Sequence, residues 1–245
     1  TMGVDCQKRY LQWEVVGWSR YWESWGISTG MIPGSPDDPK TWRQLDAVIS
    51  RKFKFLNGKA LYISLTFIDS GDGKFTNEIA AYCHARESRN VFAIKGSSSF
   101  DKPFINAPSH IPVAADSNQK YWLYNIGVSS GKSIIYSALT IKDKGPNYMH
   151  FPRDESRGYN LNYFTQLISE TLTREGKMLK WTPRPGHERN EALDIRNYAR
   201  AAIQVLNPNF DAIERALKRE PAETKAKKVP KPRPKRSSLA DEFFE

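Results

Sequence analysis

The chain has 245 residues, of which 39% are hydrophobic and 12% aromatic, and its formal net charge is +10. This length is sufficient to bury one good-sized core. The two cysteines, Cys6 and Cys83, are far apart, and no apolar run approaches the roughly 18 residues of a membrane-spanning helix. The composition therefore argues against a disulfide-rich or membrane-spanning protein. It favours a globular protein in a reducing, cytosolic compartment with an anionic partner, most often nucleic acid.

The basic charge is divided between a body and a carboxyl-terminal tail. Residues 221–245 contain seven Lys or Arg against four acids, a net charge of +3, which leaves +7 for the remainder. Because this segment is rich in Lys and Pro and poor in hydrophobic residues, it is typical of a disordered tail that binds DNA non-specifically. We therefore predict a body over residues 1–207, a short helical extension over 208–220 and a flexible tail over 221–245.

The first part of the chain predicts an antiparallel meander followed by a helix. Aromatic and β-branched residues alternate in residues 10–18, which is typical of a strand. Residues 3–6 and 23–32 are predicted to be the neighbouring strands. Apolar residues at helical spacing then predict a helix over residues 38–53.

A nearly continuous apolar run over residues 60–68 predicts a central strand that is covered on both faces. A helical segment over residues 76–87 and an apolar strand over residues 91–94 follow it. This order predicts a βαβ unit with parallel strands. Residues 97–120 are polar and interrupted by prolines, which is typical of a long surface loop.

The remaining sequence alternates between strands and helices. Predicted strands cover residues 121–128, 148–151 and 177–182, and predicted helices cover residues 132–139, 163–173 and 189–206. In the last of these helices, apolar residues recur at steps of three and four from Ala192 to Leu206. Such a helix packs one face on a core, so the whole pattern predicts an α/β fold with a mixed sheet flanked by helices.

Three aspartates stand out by their positions in these elements. Asp5 and Asp69 end predicted strands, and Asp194 projects from the beginning of the long last helix. Converging carboxylates repel each other unless a divalent cation lies between them, and oxygen-only ligands favour Mg²⁺ or Mn²⁺ over zinc. Two such ions can promote phosphodiester hydrolysis. The structural alternatives are turn formation by the first two acids and a favourable helix-dipole contact by the third.

Seven short motifs also occur in a characteristic order. They are Gly3-Val4-Asp5-Cys6-Gln7, Val16-Gly17-Trp18, Glu23-Ser24-Trp25, Ile68-Asp69-Ser70-Gly71, Ala93-Ile94-Lys95-Gly96, His150-Phe151-Pro152 and Arg189-Asn190-Glu191-Ala192-Leu193-Asp194. Over residues 3–206 they resemble the carboxyl-terminal nuclease domain of lambda-type phage terminase large subunits. The resemblance implies an RNase H-like fold in which Asp5, Asp69 and Asp194 are the catalytic acids and bind two Mg²⁺ or Mn²⁺ ions. It also implies an endonuclease that cuts concatemeric phage DNA during packaging.

The same resemblance implies a set of partners and a setting. The partners are double-stranded DNA, the terminase small subunit, an ATPase domain of the same full-length protein, and the procapsid portal. The setting is the cytoplasm of an infected bacterial host, with no membrane partner. Residues 237–245, which are acidic and aromatic, are predicted to dock on the portal. The family pattern has an acid where this chain has Ser129, so no fourth carboxylate is predicted there.

Further polar residues are candidates for supporting roles. Asn190, Glu191 and Lys95 are candidates to support the three acids, with helix capping and a solvated side chain as the alternatives for Glu191 and Lys95. Four basic residues are candidate DNA contacts, with an ordinary basic surface as the alternative: Lys132, Arg184, Arg189 and Arg196. Residues 127–133 lack the spacing of a Walker A motif, so ATP hydrolysis by this chain is not predicted.

Two other functions remain open at this point. A resolvase- or transposase-like nuclease of the same fold would cut branched DNA in preference to linear duplex. A non-catalytic module that binds DNA and the portal would use the same acids only for structure. Metal titration separates the second alternative from a nuclease.

Overall fold

An eight-stranded mixed sheet is the centre of the protein in the computed structural model. The structure describes residues 1–71, 73–100 and 102–218. The chain divides into a unit from Thr1 to Phe210 and a second unit that begins at Asp211. The predicted tail, with its portal-docking peptide, lies outside the described residues, so the domain boundaries stay predictions. No helix within the described ranges is long and apolar enough to cross a membrane.

The elements alternate along the chain as follows. The strands are β1 (Met2–Gln7), β2 (Tyr10–Trp18), β3 (Ser24–Pro33), β4 (Lys52–Lys54), β5 (Ala60–Tyr62), β6 (Thr66–Asp69), β7 (Val91–Ser97), β8 (Ser109–Pro112), β9 (Lys120–Gly127), β10 (Met149–His150), β11 (Glu170–Glu175) and β12 (Met178–Pro183). The helices are α1 (Pro39–Ile49), α2 (Thr76–His84), α3 (Val128–Leu139), α4 (Leu161–Leu167), α5 (Glu191–Leu206) and α6 (Phe210–Lys218).

The main sheet has the strand order β10-β3-β2-β1-β6-β7-β9-β8. Strands β1, β2 and β3 form an antiparallel meander, whereas β6, β7 and β9 run parallel to β1 on its other side. The predicted meander and the predicted β6-α2-β7 unit are therefore confirmed. Strand β1 lies at the junction of the antiparallel and parallel halves, so its carboxyl end faces the crevice typical of such sheets.

Helix α5 packs closely on one face of β1. A Cβ atom on Gly3 would lie 2.1 Å from the backbone oxygen of Ile195, so only glycine fits this contact. The contacting side of α5 includes the fully buried Ala199 and Ala202, whose small side chains also permit a close approach. Because side chains alternate along a strand, Asp5 points to the same side as Gly3, toward α5.

Helices α1 and α2 cover the opposite face. Buried residues of both helices, including Leu45 and Ile79, join one hydrophobic cluster with Met2 and Val4 of β1. The alternation of β1 is thus explained by two environments, one apolar and one that carries the acid. This arrangement confirms a mixed α/β fold with helices on the sheet.

The predicted central strand over residues 60–68 is wrong in its first half. Strand β5 leaves the main sheet and pairs with β4 in a separate hairpin, and only residues from Thr66 onward enter the sheet. Leu61 and Tyr62 are 42% and 59% exposed, so apolar composition alone did not indicate burial. The predicted first helix is also too long, because it ends at Ile49 and β4 follows.

Two further differences affect the region around the candidate site. The predicted helix over residues 163–173 ends at Leu167, and Glu170 begins β11, where the β-branched Thr171 and Thr173 favour a strand. The predicted loop over residues 97–120 contains the edge strand β8, which pairs with β9.

Candidate active site

Asp5 and Asp69 stand side by side where the parallel pairing of β1 with β6 ends, although β1 itself continues to Gln7 and Asp5 is therefore not the last residue of its strand. The register of β1 and β6 pairs Val4 with Ile68, and each of these residues is followed by one of the aspartates. Neighbouring strands lie about 4.8 Å apart, so the main chain itself fixes a short separation between these two residues. The two aspartates therefore lie next to each other on neighbouring strands.

Each of the two aspartates is oriented by a hydrogen bond. Gln7 donates from Nε2 to Oδ2 of Asp5 at 2.6 Å. The backbone N–H of Gly71 donates to Oδ1 of Asp69 at 3.1 Å, and the Tyr198 hydroxyl donates to Oδ2 of Asp69 at 3.3 Å. Since Tyr198 belongs to α5, this last bond ties the helix to the end of β6.

Asp194 reaches the same region from α5, one turn before Tyr198. Burial raises the pKa of Tyr198 well above its usual value, and the charges of Asp69, Asp194 and Asp5 raise it further. All three acids thus act on one hydroxyl group. The structure brings the three predicted acids into one electrostatically coupled cluster, although they are separated by up to 189 positions in the sequence.

The pKa values of the cluster reflect burial and mutual repulsion. Burial raises the pKa of Asp5 to about 8, the Gln7 hydrogen bond opposes this shift, and the charges of Asp194 and Asp69 add to it. Burial and the charge of Asp194 raise the pKa of Asp69 to about 6. Burial also raises the pKa of Asp194. A bound cation would reduce the repulsion between these carboxylates and lower their pKa values, because it favours the ionised form.

Lys132 supplies one positive charge to this cluster. Its Nζ lies 2.6 Å from Oε1 of Glu170 and 3.2 Å from Oδ1 of Asp194, and the side chain is almost fully buried. Asn190 donates from Nδ2 to the same Glu170 oxygen at 2.7 Å. Lys132 therefore faces the acids in this structure, and its prediction as a DNA contact stays untested.

Glu170 is the site residue that the sequence analysis missed. It is 4% exposed and holds both Lys132 and Asn190, yet it lies at the start of β11, within a segment predicted to be helical. No motif or spacing marked it. The sequence shows only an acid near β-branched residues, and the burial of this acid becomes evident only when β11 is assigned as a strand.

Glu191 lies against the cluster from the first turn of α5. Oε1 accepts hydrogen bonds from the Tyr10 hydroxyl at 2.7 Å and from Nε of Arg189 at 3.1 Å, whereas the buried Oε2 has no hydrogen-bond partner. The charge of Glu191 contributes to the raised pKa of Asp5. Glu191 is therefore close enough to influence Asp5 electrostatically, and the hydrogen bonds of its side chain go to Tyr10 and Arg189.

The other predicted supporting and DNA-contacting residues differ in exposure. Lys95 is exposed on β7, one position beyond the residue that pairs with Asp69. Arg184 and Arg189 are also exposed, and Arg184 donates from Nε to the backbone oxygen of Glu170 at 3.2 Å. These three cations are accessible near the acid cluster, and their role as phosphate contacts stays a prediction.

Arg196 requires a correction. Its side chain is 1% exposed, and Nη2 forms an ion pair with Oε1 of Glu14 at 2.5 Å. Tyr159 and Tyr163 donate hydroxyl hydrogen bonds to the same Glu14 oxygen. A DNA phosphate cannot reach a guanidinium in this position, so Arg196 is a structural residue of the interior.

The donor set suits a hard divalent cation. Among the residues that the structure describes, no three Asp, Glu, His or Cys side chains already form a group that could hold a metal ion. Mg²⁺, however, commonly binds through one or two carboxylates and keeps several waters. Asp5 and Asp69 supply such a pair, Asp194 lies within electrostatic reach, and Glu191 has an unpartnered buried oxygen. The residues therefore fit Mg²⁺ or Mn²⁺ by chemistry and charge.

Ser129 does not add an acid to this site. Its hydroxyl donates to the backbone oxygen of Ser98 at 2.6 Å, and the residue is 2% exposed at the beginning of α3. It therefore acts as a structural link between α3 and the segment after β7. The only additional carboxylates identified around the cluster in the described part of the chain are Glu170 and Glu191.

Comparisons with known proteins give a consistent result. Residues 1–217 match the family model described as terminase large subunit gpA, endonuclease domain. The terminase large subunit of Enterobacteria phage P21 is 30% identical over 221 residues, and that of Escherichia phage lambda is 29% identical over 218 residues. Each alignment covers 84% of this chain and 32% of the relative, so the chain spans about a third of the length of these curated relatives. No solved structure matches the chain significantly.

Proposed function

The chain belongs to the family of terminase large subunit gpA endonuclease domains, and from this premise we propose that it cuts DNA in a reaction dependent on Mg²⁺ or Mn²⁺. The observation that carries the proposal is the placement of Asp5 and Asp69 on neighbouring parallel strands, directly after the pair Val4 and Ile68 and within electrostatic reach of Asp194. Oxygen ligands of this type suit the divalent ions that assist phosphodiester hydrolysis.

We further propose that the fold is RNase H-like. The support is the strand order, in which a three-stranded antiparallel meander continues into parallel strands at β1. The acids occupy the first strand, the neighbouring parallel strand and a later helix that packs on them. This is the arrangement implied by the family resemblance of the sequence.

The three aspartates would hold the metal ions. When bound, these ions would supply Lewis-acid stabilisation to the phosphodiester and lower the pKa of an attacking water. Gln7 and Tyr198 orient the carboxylates of Asp5 and Asp69 through the hydrogen bonds described above. These contacts hold the carboxylates next to the position that the reacting phosphate would occupy.

Lys132 has a positioning role in this proposal. It holds Asp194 at 3.2 Å and is itself held by Glu170, so the carboxylate of Asp194 has a fixed orientation. The exposed Lys95, Arg184 and Arg189 would contact DNA phosphates around the site. The net charge of +10 supports an electrostatic contribution to DNA binding.

The substrate and partners follow from family membership as proposals. The substrate would be concatemeric double-stranded phage DNA, cut during packaging in the cytoplasm of the bacterial host. In a longer protein of the size of its relatives, this domain would act with an ATPase domain and with the terminase small subunit. Residues 237–245 would dock on the procapsid portal, and deletion of these residues should then abolish portal binding and spare cleavage.

The nuclease proposal is tested with supercoiled plasmid. Asp194→Asn removes a negative charge from the cluster with little change of shape. We expect the rate of cleavage with Mn²⁺ to fall by more than about 100-fold, because loss of a residue that only supports a metal ligand typically lowers activity by about 10- to 100-fold. DNA binding should be nearly unchanged, and the variant should still fold. The measurement is the rate of conversion to nicked and linear plasmid, with and without Mn²⁺.

Asp143→Asn is the matched control, because it makes the same chemical change at an exposed position. It should cleave like the wild type. Full activity of the Asp194 variant, or wild-type cleavage that persists in excess chelator, would contradict the proposal. Preference for four-way junctions over linear duplex would instead favour a resolvase-like activity.

A further inference from the structure

A cavity of about 430 Å³ lies between α3 and α5, outside the acid cluster. Its polar lining consists of Ser133 and Ser137 of α3, Arg200 and Gln204 of α5, and Asn147, and its apolar lining consists of Trp22, Ile134, Ala138 and Ile141. None of these residues takes part in the proposed cleavage. The cavity is therefore a separate feature whose chemistry requires its own explanation.

Arg200 is the unusual residue of this cavity. The residue is only 4% exposed, yet within the described ranges it forms no ion pair with a carboxylate. Nη2 donates to Oδ1 of Asn147 at 3.0 Å, whereas the buried Nε has no hydrogen-bond partner. Its guanidinium also lies 5.9 Å from the ring centre of Trp18. An amide and an aromatic ring do not neutralise its charge.

The neighbouring buried arginine shows the contrast. Arg196, one turn earlier on α5, is neutralised by Glu14 at 2.5 Å. That carboxylate is fully buried, and the oxygen that faces Arg196 also accepts hydrogen bonds from two tyrosines. Burial and the like charge of Arg196 lower the pKa of Arg200 to about 10, which still leaves the guanidinium charged at neutral pH.

A buried cation without a counter-ion is costly, because its lost hydration is not replaced. The cost is reduced if an anion enters the cavity. A phosphate group suits this lining because its oxygens accept hydrogen bonds from several donors at once, and arginine is the side chain best shaped to bind it. The cavity offers the guanidinium, the Ser137 hydroxyl and the side-chain amides of Asn147 and Gln204.

We propose that the cavity between α3 and α5 is a phosphate-binding site centred on Arg200. The phosphate has two possible sources, a free phosphate or a backbone phosphate of DNA. Arg200 follows Asp194 by six residues on α5, a rise of about 9 Å along the helix axis. Six residues also rotate the side chain by about 120° around the helix axis, so DNA and free phosphate are tested as separate sources.

The first test uses inorganic phosphate and the full chain in metal-free buffer. Phosphate stabilises most folded proteins because it is excluded from their surface. Binding to the cavity of the folded state should add to this general effect. Relative to chloride at equal ionic strength, phosphate should therefore raise the thermal unfolding midpoint of the wild type more than that of Arg200→Gln. The assay needs neither divalent ions nor cleavage, so its result is independent of the nuclease proposal.

A second variant keeps the test decisive if Arg200→Gln does not fold. Gln204→Glu places a carboxylate one helical turn from Arg200, where it can act as a built-in counter-ion. It should raise the midpoint in chloride and remove the additional effect of phosphate. Lys142→Gln, which removes one positive charge from an exposed position close to the cavity, should keep the wild-type response.

The second test identifies the source of the phosphate. If DNA supplies it, Arg200→Gln should reduce the slope of log affinity against log salt by about 0.9, the value expected for one lost phosphate contact. If free phosphate is the ligand, the slope stays unchanged while phosphate still stabilises the wild type. The proposal is wrong if phosphate has no specific effect on the wild type, or if its effect survives in both cavity variants.

Discussion

At the scale of single residues, the candidate site is defined by carboxyl groups whose ionisation is disfavoured by burial and by neighbouring negative charges. Asp5 is 5% exposed, and burial together with neighbouring negative charges raises its pKa to about 8. Asp69 has a pKa raised to about 6 for similar reasons. Arg196 and Glu14 differ from these acids, because each of the two buried charges is neutralised by the other in an ion pair. The acids of the site lack such full pairing, which is consistent with a site for an external cation.

This difference predicts a pH dependence of stability in metal-free buffer. The folded pKa of Asp5 lies above its unfolded value of 3.8, so the unfolded state ionises first as pH rises. The free energy of unfolding should therefore decrease between about pH 4 and pH 8. Asp5→Asn should flatten this decrease. At pH 8 its free energy of unfolding should exceed that of the wild type by more than about 1 kcal/mol, because a pKa shift of one unit already corresponds to about 1.4 kcal/mol.

Urea unfolding at several pH values measures this effect. Mg²⁺ or Mn²⁺ should raise the stability of the wild type at pH 8 and leave Asp5→Asn nearly unaffected, because binding to the folded state is lost. Asp143→Asn serves again as the exposed control. A wild type whose stability increases steadily from pH 4 to pH 8 would contradict the assigned shift.

At the scale of elements, the position of Asp194 depends on how closely α5 approaches β1. Gly3 permits this approach, since any Cβ at this position would meet the main chain of α5 at 2.1 Å. The helix can yield only by moving away from the sheet, and Asp194 would move with it. The element that carries the third acid is thus positioned by a residue with no side chain.

Gly3→Ala should therefore lower both stability and cleavage. We expect a loss of about 1–3 kcal/mol in the free energy of unfolding, as for overpacked cores, and a larger relative loss of plasmid cleavage than of DNA binding. Gly17→Ala is the matched control on β2, because the closest contact of its added Cβ is the flexible end of Ile27 at 3.3 Å. Equal activity in both variants would show that the close contact does not position α5.

The elements also show what the sequence can predict. Strand β2 has the predicted ends, and the meander and the parallel unit are confirmed, because alternation and apolar runs directly reflect burial. Strands β5 and β11 were assigned incorrectly, since their environment depends on tertiary pairing that local composition does not reveal. The placement of Glu170 was hidden for the same reason. The motifs identified the aspartates, but only the register of β1 and β6 reveals their side-by-side placement.

At the scale of the whole molecule, positive charge is present in both the body and the predicted tail. The tail carries a net +3 and lies outside the described residues, and the remainder keeps +7. Each phosphate contact adds to the salt dependence of DNA affinity. The body should therefore bind DNA without the tail, although more weakly.

Removal of residues 221–245 is expected to reduce the salt slope of DNA binding and to spare cleavage at low salt. The reason is that the tail supplies non-specific attraction, whereas the three aspartates lie in the body. Binding titrations at several salt concentrations and the plasmid assay measure the two properties. Complete loss of cleavage by the shortened chain at low salt would assign the tail a role beyond attraction.

The register between β1 and β6 has a consequence for how the domain tolerates divergence. The distance between Asp5 and Asp69 is set by the backbone hydrogen bonds between β1 and β6, which do not depend on the side chains of these strands. Side chains at the surrounding strand positions can therefore be substituted without a change in this spacing. Substitutions that keep both strands paired should therefore leave the two carboxylates at the same distance.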